Sequence, residues 1–203
     1  LWLTGRSCPH GLLYFGACDP SLGKAGQGRD PSALLVGGLD RENMRLYEVE
    51  ADIRKRHPDR IIQDLLALQR RWGCLMWAVE AVQFQEFFAD VLVREAARQG
   101  LPLPVTPLKN NTDKLLRIES LHPYFCQGRI LLNPDSHVLI DQLRHFPMAD
   151  HDDGPDALEM LWRTASCGLV SLRDAFVRTP RGGFCAIHDT DDDDQDEGGW
   201  IWP

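Results

Sequence analysis

The chain has 203 residues, 43% of them hydrophobic and 26% charged, with a formal net charge of −8. That length holds one α/β domain with a full core. No apolar run approaches the roughly 18 residues of a membrane span, and no signal peptide is visible. The charge argues at first against a nucleic-acid partner, but its distribution weakens the objection. The stretch Asp189–Glu197 holds seven of the 30 acids, and the remaining 23 nearly match the 22 lysines and arginines. The six cysteines (8, 18, 74, 126, 167 and 185) form no Cys-x-x-Cys pair, which reads as free thiols in a reducing compartment and not as a zinc site. The chain opens at Leu1-Trp2-Leu3 without a methionine, and a fragment of a longer protein is expected.

In chain order, Leu12–Cys18 is an apolar run with aromatics and predicts a buried strand, broken by Asp19-Pro20-Ser21. Gly23–Gly28 predicts a loop. Ser32–Leu39 and Met44–Ala51 predict two strands joined as a hairpin by Asp40–Asn43. Pro58 opens a helix in which Ile61, Leu65, Leu68 and Trp72 recur at helical spacing, and Gly73 stops it. Cys74–Val79 is a second short apolar run that ends on an acid. A helix follows, with Phe84, Phe87, Phe88, Val91 and Leu92 on one face and Gly100 as its stop.

Leu103–Thr106 predicts a short strand between prolines, and Thr112 is placed to cap a helix running to Glu119. Tyr124–Cys126 and Arg129–Leu132 flank Gln127-Gly128 and predict a small hairpin. Ser136 is placed to cap a helix ending at His145. Gly154-Pro155 starts another, carrying Ala157, Leu158, Leu161, Trp162 and Ala165. Asp191–Asp194 is a low-complexity acidic run. The order predicts a mixed central β-sheet flanked by helices over residues 1–175, followed by a flexible acidic extension over 176–203.

The chemistry concentrates in acids. His151-Asp152-Asp153-Gly154-Pro155-Asp156 puts three carboxylates at the start of a helix. Asp19 and Glu80 each end an apolar run, and their strands are expected to lie parallel, with both acids at the carboxyl edge of the sheet. Brought together, such carboxylates make a cage for hard divalent cations, the machinery of metal-dependent phosphodiester cleavage. Lys109, Lys114, Arg117 and Arg129 fall in one segment and form a candidate patch for DNA phosphates. Lys114 and Arg117, three apart, share a helical side.

Several short motifs, in order, resemble the nuclease domain of the phage DNA-packaging terminase large subunit, a family within the ribonuclease H-like superfamily. They are Asp19-Pro20-Ser21-Leu22-Gly23 with Asp30-Pro31-Ser32-Ala33; Val79-Glu80 before a Phe-rich helix; Lys114-Leu115-Leu116-Arg117-Ile118; Gln142–Pro147; and Asp152–Leu158. The resemblance implies a ribonuclease H-like α/β fold and an endonuclease that cuts concatemeric double-stranded viral DNA with two Mg²⁺ or Mn²⁺ ions. It implies catalytic roles for Asp19, Glu80 and Asp156, with Asp153 as a further metal ligand and Asp30, Asp152 and His151 nearby. It also implies an upstream ATPase domain, a portal protein and a small terminase subunit as partners, and a viral protein acting in the host cytoplasm. The phosphate-binding loop of such an ATPase, Gly-x-x-x-x-Gly-Lys-Ser/Thr, does not occur here.

Each residue also has a plainer reading. Asp19 can end a strand, since Asp-Pro is a turn signal. Glu80 can cap the following helix. Asp153 and Asp156 suit a helix start, where the dipole favours acids. Lys114 and Arg117 can line a solvated face, and His151 can be a surface histidine. At the level of function, a Holliday-junction resolvase, a ribonuclease H and a non-catalytic docking module of a packaging motor stand as alternatives.

Overall fold

Backbone pairing explains why the first strand is buried from Phe15 to Asp19. In the computed structural model, which describes residues 10–20, 31–80, 85–110 and 112–175, β1 (Leu13–Asp19) is flanked on both sides. It pairs antiparallel with β2 (Ser32–Asp40) and parallel with β4 (Trp77–Glu80). The strand therefore satisfies its amides and carbonyls on both edges and can be apolar on both faces. β3 (Arg45–Arg54) closes the expected hairpin with β2. β5 (Val105–Leu108) lies parallel to β4, and β6 (Ile130–Leu131) lies parallel to β3. The six-stranded sheet has the order β5-β4-β1-β2-β3-β6. The mixed α/β architecture flanked by helices is as expected.

α1 (Pro58–Trp72) begins at proline, which needs no amide partner there, and ends at Gly73 with φ 59°. Its Ile61, Leu65 and Leu66 are fully buried, each worth about 1.5–3 kcal/mol of hydrophobic stabilisation. They share a core with Cys18, Leu34, Val36 and Trp77 of the sheet and with Phe88, Leu92 and Ala96 of α2 (Gln85–Arg98). Gly16 lies under the indole of Trp77, so a Cβ there would run into the ring. Trp77 Nε1 donates to Gln69 Oε1 at 2.8 Å, which satisfies its one polar atom inside the core.

Three sequence expectations are corrected. The predicted hairpin at 124–132 is instead a short helix, α4 (His122–Cys126), followed by β6. Tyr124 packs against Trp162 with ring centroids 4.6 Å apart and planes tilted by 45°, and Gly128 adopts φ 63°. The aromatics are spent on a helix contact, and the glycine turns the chain into a parallel strand. The cap of α3 (Lys114–Glu119) is Asp113, not Thr112; Asp113 Oδ1 accepts from the amides of Leu115 and Leu116. Ser136 does occupy the cap position of α5 (His137–His145), but its hydroxyl makes no cap bond and donates to Glu48 Oε1 at 3.0 Å.

α6 (Asp153–Ala175) packs its first turns against β2, β3 and α5. A Cβ at Gly154 would meet Gln142, Ile53 and Leu139, and one at Gly37 would meet Leu46 and Leu161. The chain divides into two units after Gly168, within α6; the sheet lies in the first. Phe84, Asp30 and the expected extension over 176–203 lie outside the described residues.

Candidate metal centre

The parallel register of β1 and β4 runs Gly16↔Trp77, Ala17↔Ala78 and Cys18↔Val79. Its continuation sets Asp19 beside Glu80, one strand spacing of about 4.8 Å away and on the same face. Both acids end their strands at the carboxyl edge, as the apolar runs predicted.

The third acid arrives on α6. The amide of Asp156 donates to the Asp152 carbonyl at 3.0 Å, the first turn of the helix, and the amide of Gly154 donates to Gln142 Oε1 at 3.0 Å. Gln142 thus caps the helix from α5 and fixes where its first turn starts. Glycine at 154 allows that approach. One oxygen from each of Asp19, Glu80 and Asp156 comes within 4.8 Å of the others, the one such grouping among the described residues. Asp19 and Asp156 are buried; Glu80 is half-buried.

Burial and like charge act together here. Desolvation, and then Glu80, Asp153 and Asp156, push the Asp19 carboxyl well above its ordinary range, with Lys114 opposing. Asp153 is buried at the helix start but is not part of the converging set. Burial pushes it up to about 6, against the pull of Lys114. Asp152 is occupied elsewhere, accepting from Lys114 Nζ at 2.8 Å. His151 is half-buried beside Asp153 and acts on its charge.

The proposed basic patch separates into three groups. Lys114 and Arg117 do share one side of α3, and that side faces the acids, with Arg117 buried and Lys114 still partly open to solvent. Lys114 Nζ lies 3.4 Å from Asp156 Oδ2. Arg117 is only 8% exposed; its Nη1 donates to Asp156 Oδ1 at 2.5 Å and to Glu159 Oε2 at 3.0 Å. Lys109 is exposed just past β5. Arg129 precedes β6, which pairs with β3 at Leu46, the register that leads through Leu39 to Leu13. That is the opposite end of β1 from Asp19, roughly 20 Å along the strands. Arg129 is therefore no part of a patch with Lys114. Sequence proximity misled because between β5 and β6, the two outer strands, the chain passes from one edge of the sheet to the other.

Glu159 and Asn110 also contact the site, and neither is among the residues expected from the sequence. Glu159, buried on α6, pairs with Arg117. Asn110, two residues past β5, donates from Nδ2 to Glu80 Oε1 at 3.1 Å. The position of Glu159 three residues after Asp156, on one helical side, was the available signal.

The donor set suits a hard cation. All three convergent groups offer carboxylate oxygens, the preference of Mg²⁺ and Mn²⁺, and no thiol or imidazole belongs to the set. Crowded acids gain from a divalent charge placed between them.

No protein-family model matches the chain, and no curated protein matches it. Solved structures do. The large terminase nuclease from thermophilic phage G20c, solved with bound zinc, superposes with a TM-score of 0.53 at 21% identity, covering 75% of this chain and 81% of its own. The P22 large terminase nuclease domain gives 0.54 at 13%, covering 79% and 89%. The large terminase nuclease domain from bacteriophage SPP1, solved with bound Mn, gives 0.52 at 15%, covering 74% and 85%. The chain has the ribonuclease H-like α/β fold that these large terminase nuclease domains share.

Proposed function

We propose that the chain is a divalent-metal-dependent endonuclease that cuts double-stranded DNA during viral genome packaging. The observation that carries this reading is the meeting of Asp19, Glu80 and Asp156 within 4.8 Å at the carboxyl edge of parallel strands. The fold shared with large terminase nuclease domains supports the substrate class.

Asp19, Glu80 and Asp156 would hold Mg²⁺ or Mn²⁺, with Asp153, whose charge acts on Asp19, as a further candidate ligand. Two such ions, when bound, would supply a water of lowered pKa and would neutralise charge at the leaving oxygen. The chain's own residues do the rest. Asp19, last in β1 and anchored by pairing with Ala33, is held rigidly by the sheet. Asp156 is held by Arg117, so one of its oxygens has a fixed direction. Lys114, 39% exposed in its side chain, puts a positive charge at the mouth of the acidic centre, where a phosphate would approach. The packaging context brings an ATPase domain, a portal protein and a small subunit as partners, and action in the host cytoplasm.

A plasmid-nicking assay with Mg²⁺, Mn²⁺ or Ca²⁺ tests this, with Asp19→Asn as control. EDTA is expected to stop cutting, and Mn²⁺ to restore it. Nicking that survives both EDTA and Asp19→Asn would contradict the reading. Preference for four-way junctions or RNA–DNA hybrids over linear duplex would redirect it to a resolvase or a ribonuclease H. Absence of cutting with every metal would favour a docking module.

A further inference from the structure

Two of the three convergent acids are also joined to each other through a chain of side-chain contacts. Glu80 Oε1 accepts from Asn110 Nδ2 at 3.1 Å. Asn110 Oδ1 accepts from Arg163 Nη2 at 2.7 Å. Arg163 Nε lies 3.3 Å from Glu159 Oε1. Glu159 Oε2 accepts from Arg117 Nη1, which also donates to Asp156 Oδ1. The chain of contacts runs from the end of β4, through the segment after β5, across α6 and onto α3, and back to α6. None of its four middle members offers an oxygen to the convergent set.

We propose that Asn110, Arg163, Glu159 and Arg117 form a positioning arc that fixes the directions of the Glu80 and Asp156 carboxylates for a divalent cation. The proposal rests on the cation reading above and adds residues to it. Three features favour positioning over simple stabilisation.

First, the arc engages one oxygen of each acid, Glu80 Oε1 and Asp156 Oδ1, and leaves the other outside it. A carboxylate pinned at one oxygen cannot rotate freely, so the direction of the second is set as well. Outer partners of metal ligands act in this way. Second, a buried ion pair is a poor stabiliser, because desolvation offsets the attraction. Arg117 shows the deficit directly: its Nε is buried with no hydrogen-bond partner. Third, the arc crosses elements that are remote in sequence. Asn110 and Arg163 are 53 residues apart, and Arg117 and Glu159 are 42 apart. It therefore ties the acid on the sheet to the acid on the helix, which no backbone pairing does.

The test is Mn²⁺ calorimetry on the full 203-residue chain, with wild type, Asn110→Ala, Glu159→Gln and Asp19→Asn. Melting is followed without metal in parallel. Asn110→Ala lies at a half-buried position outside any helix or strand and is chosen to leave the fold intact. Both arc variants are expected to bind Mn²⁺ about 10–100-fold more weakly. Their nicking is expected to return toward the wild-type rate as Mn²⁺ is raised. Arc variants that bind Mn²⁺ within about threefold of wild type would overturn the arc, whatever their melting temperatures; loss of binding in Asp19→Asn alone would then leave the metal centre standing. A wild-type chain that takes up no Mn²⁺ would overturn the metal centre and the arc together.

Discussion

Two buried carboxylate sites in this molecule behave oppositely. Glu48 on β3 is fully buried and, although Glu50 acts on its charge, it belongs to no convergent group of acids among the described residues. Each of its oxygens has a donor: Ser136 Oγ on Oε1 and the Asn133 amide on Oε2, both at 3.0 Å. Burial pushes it up to about 7, while those two hydrogen bonds hold it down. Asp19 is also buried, but its neighbours are Glu80, Asp153 and Asp156, with Lys114 in opposition. Glu48 ties the segment before α5 to the sheet, and nothing about it asks for a cation. The Asp19 centre is a concentration of like charge that folding alone does not reward. Burial is common to both; the company each acid keeps separates a structural carboxylate from a metal-binding one.

Exchanging the two acids' losses should break the comparison most sharply. Asp19→Asn is expected to lower Mn²⁺-dependent nicking at least about a thousandfold, since it removes a ligand of the reacting centre. Without metal, the same variant should melt higher than wild type. Relief of repulsion on the order of 1 kcal/mol corresponds to about 2–4 °C in a chain of this size. Glu48→Ala is expected to do the reverse. It should destabilise by about 3 kcal/mol, through two stranded donors and a cavity, and leave nicking by the folded fraction within about twofold. Calorimetry and the plasmid assay read both.

Added metal sharpens the contrast. Mn²⁺ at about 100 times its Kd should stabilise wild type by about 2.7 kcal/mol, and this gain should vanish in Asp19→Asn and persist in Glu48→Gln. The pH dependence separates the sites again. Glu48 is raised in the folded state from 4.5 to about 7, so between those values the folded chain holds a proton that the unfolded chain has lost. Stability should therefore fall as pH rises through that window, by up to about 3 kcal/mol, and Glu48→Gln should flatten the slope. At the metal centre the sign for binding is opposite: Asp19 must shed its proton for a cation, so Mn²⁺ affinity should rise with pH. The smallest effect is at the far end of the sheet, where Arg129→Ala should change nicking by less than about twofold.

Much of this was legible in the sequence because local signals and tertiary demands agree. Apolar runs ending on Asp19 and Glu80 read as strands, and pairing with a connecting helix put both acids on one edge. Pro58 and Gly73 bounded α1 because their backbone preferences are local. The failures are equally physical. Tyr124 and Phe125 beside Gly128 carry strand-like composition, but a long-range contact with Trp162 decides the outcome. The spacing of Lys114 and Arg117 correctly gave a shared side and could not say what it faces. Glu48 and Asn110 are single polar residues whose partners lie 30 to 88 positions away, so no spacing announces them.

The most direct measurement is the anomalous diffraction of a crystal grown with Mn²⁺. Anomalous density is expected among the carboxylates of Asp19, Glu80 and Asp156, and none beside Glu48. Saturating Mn²⁺ that leaves no density among those three side chains would contradict a metal centre there.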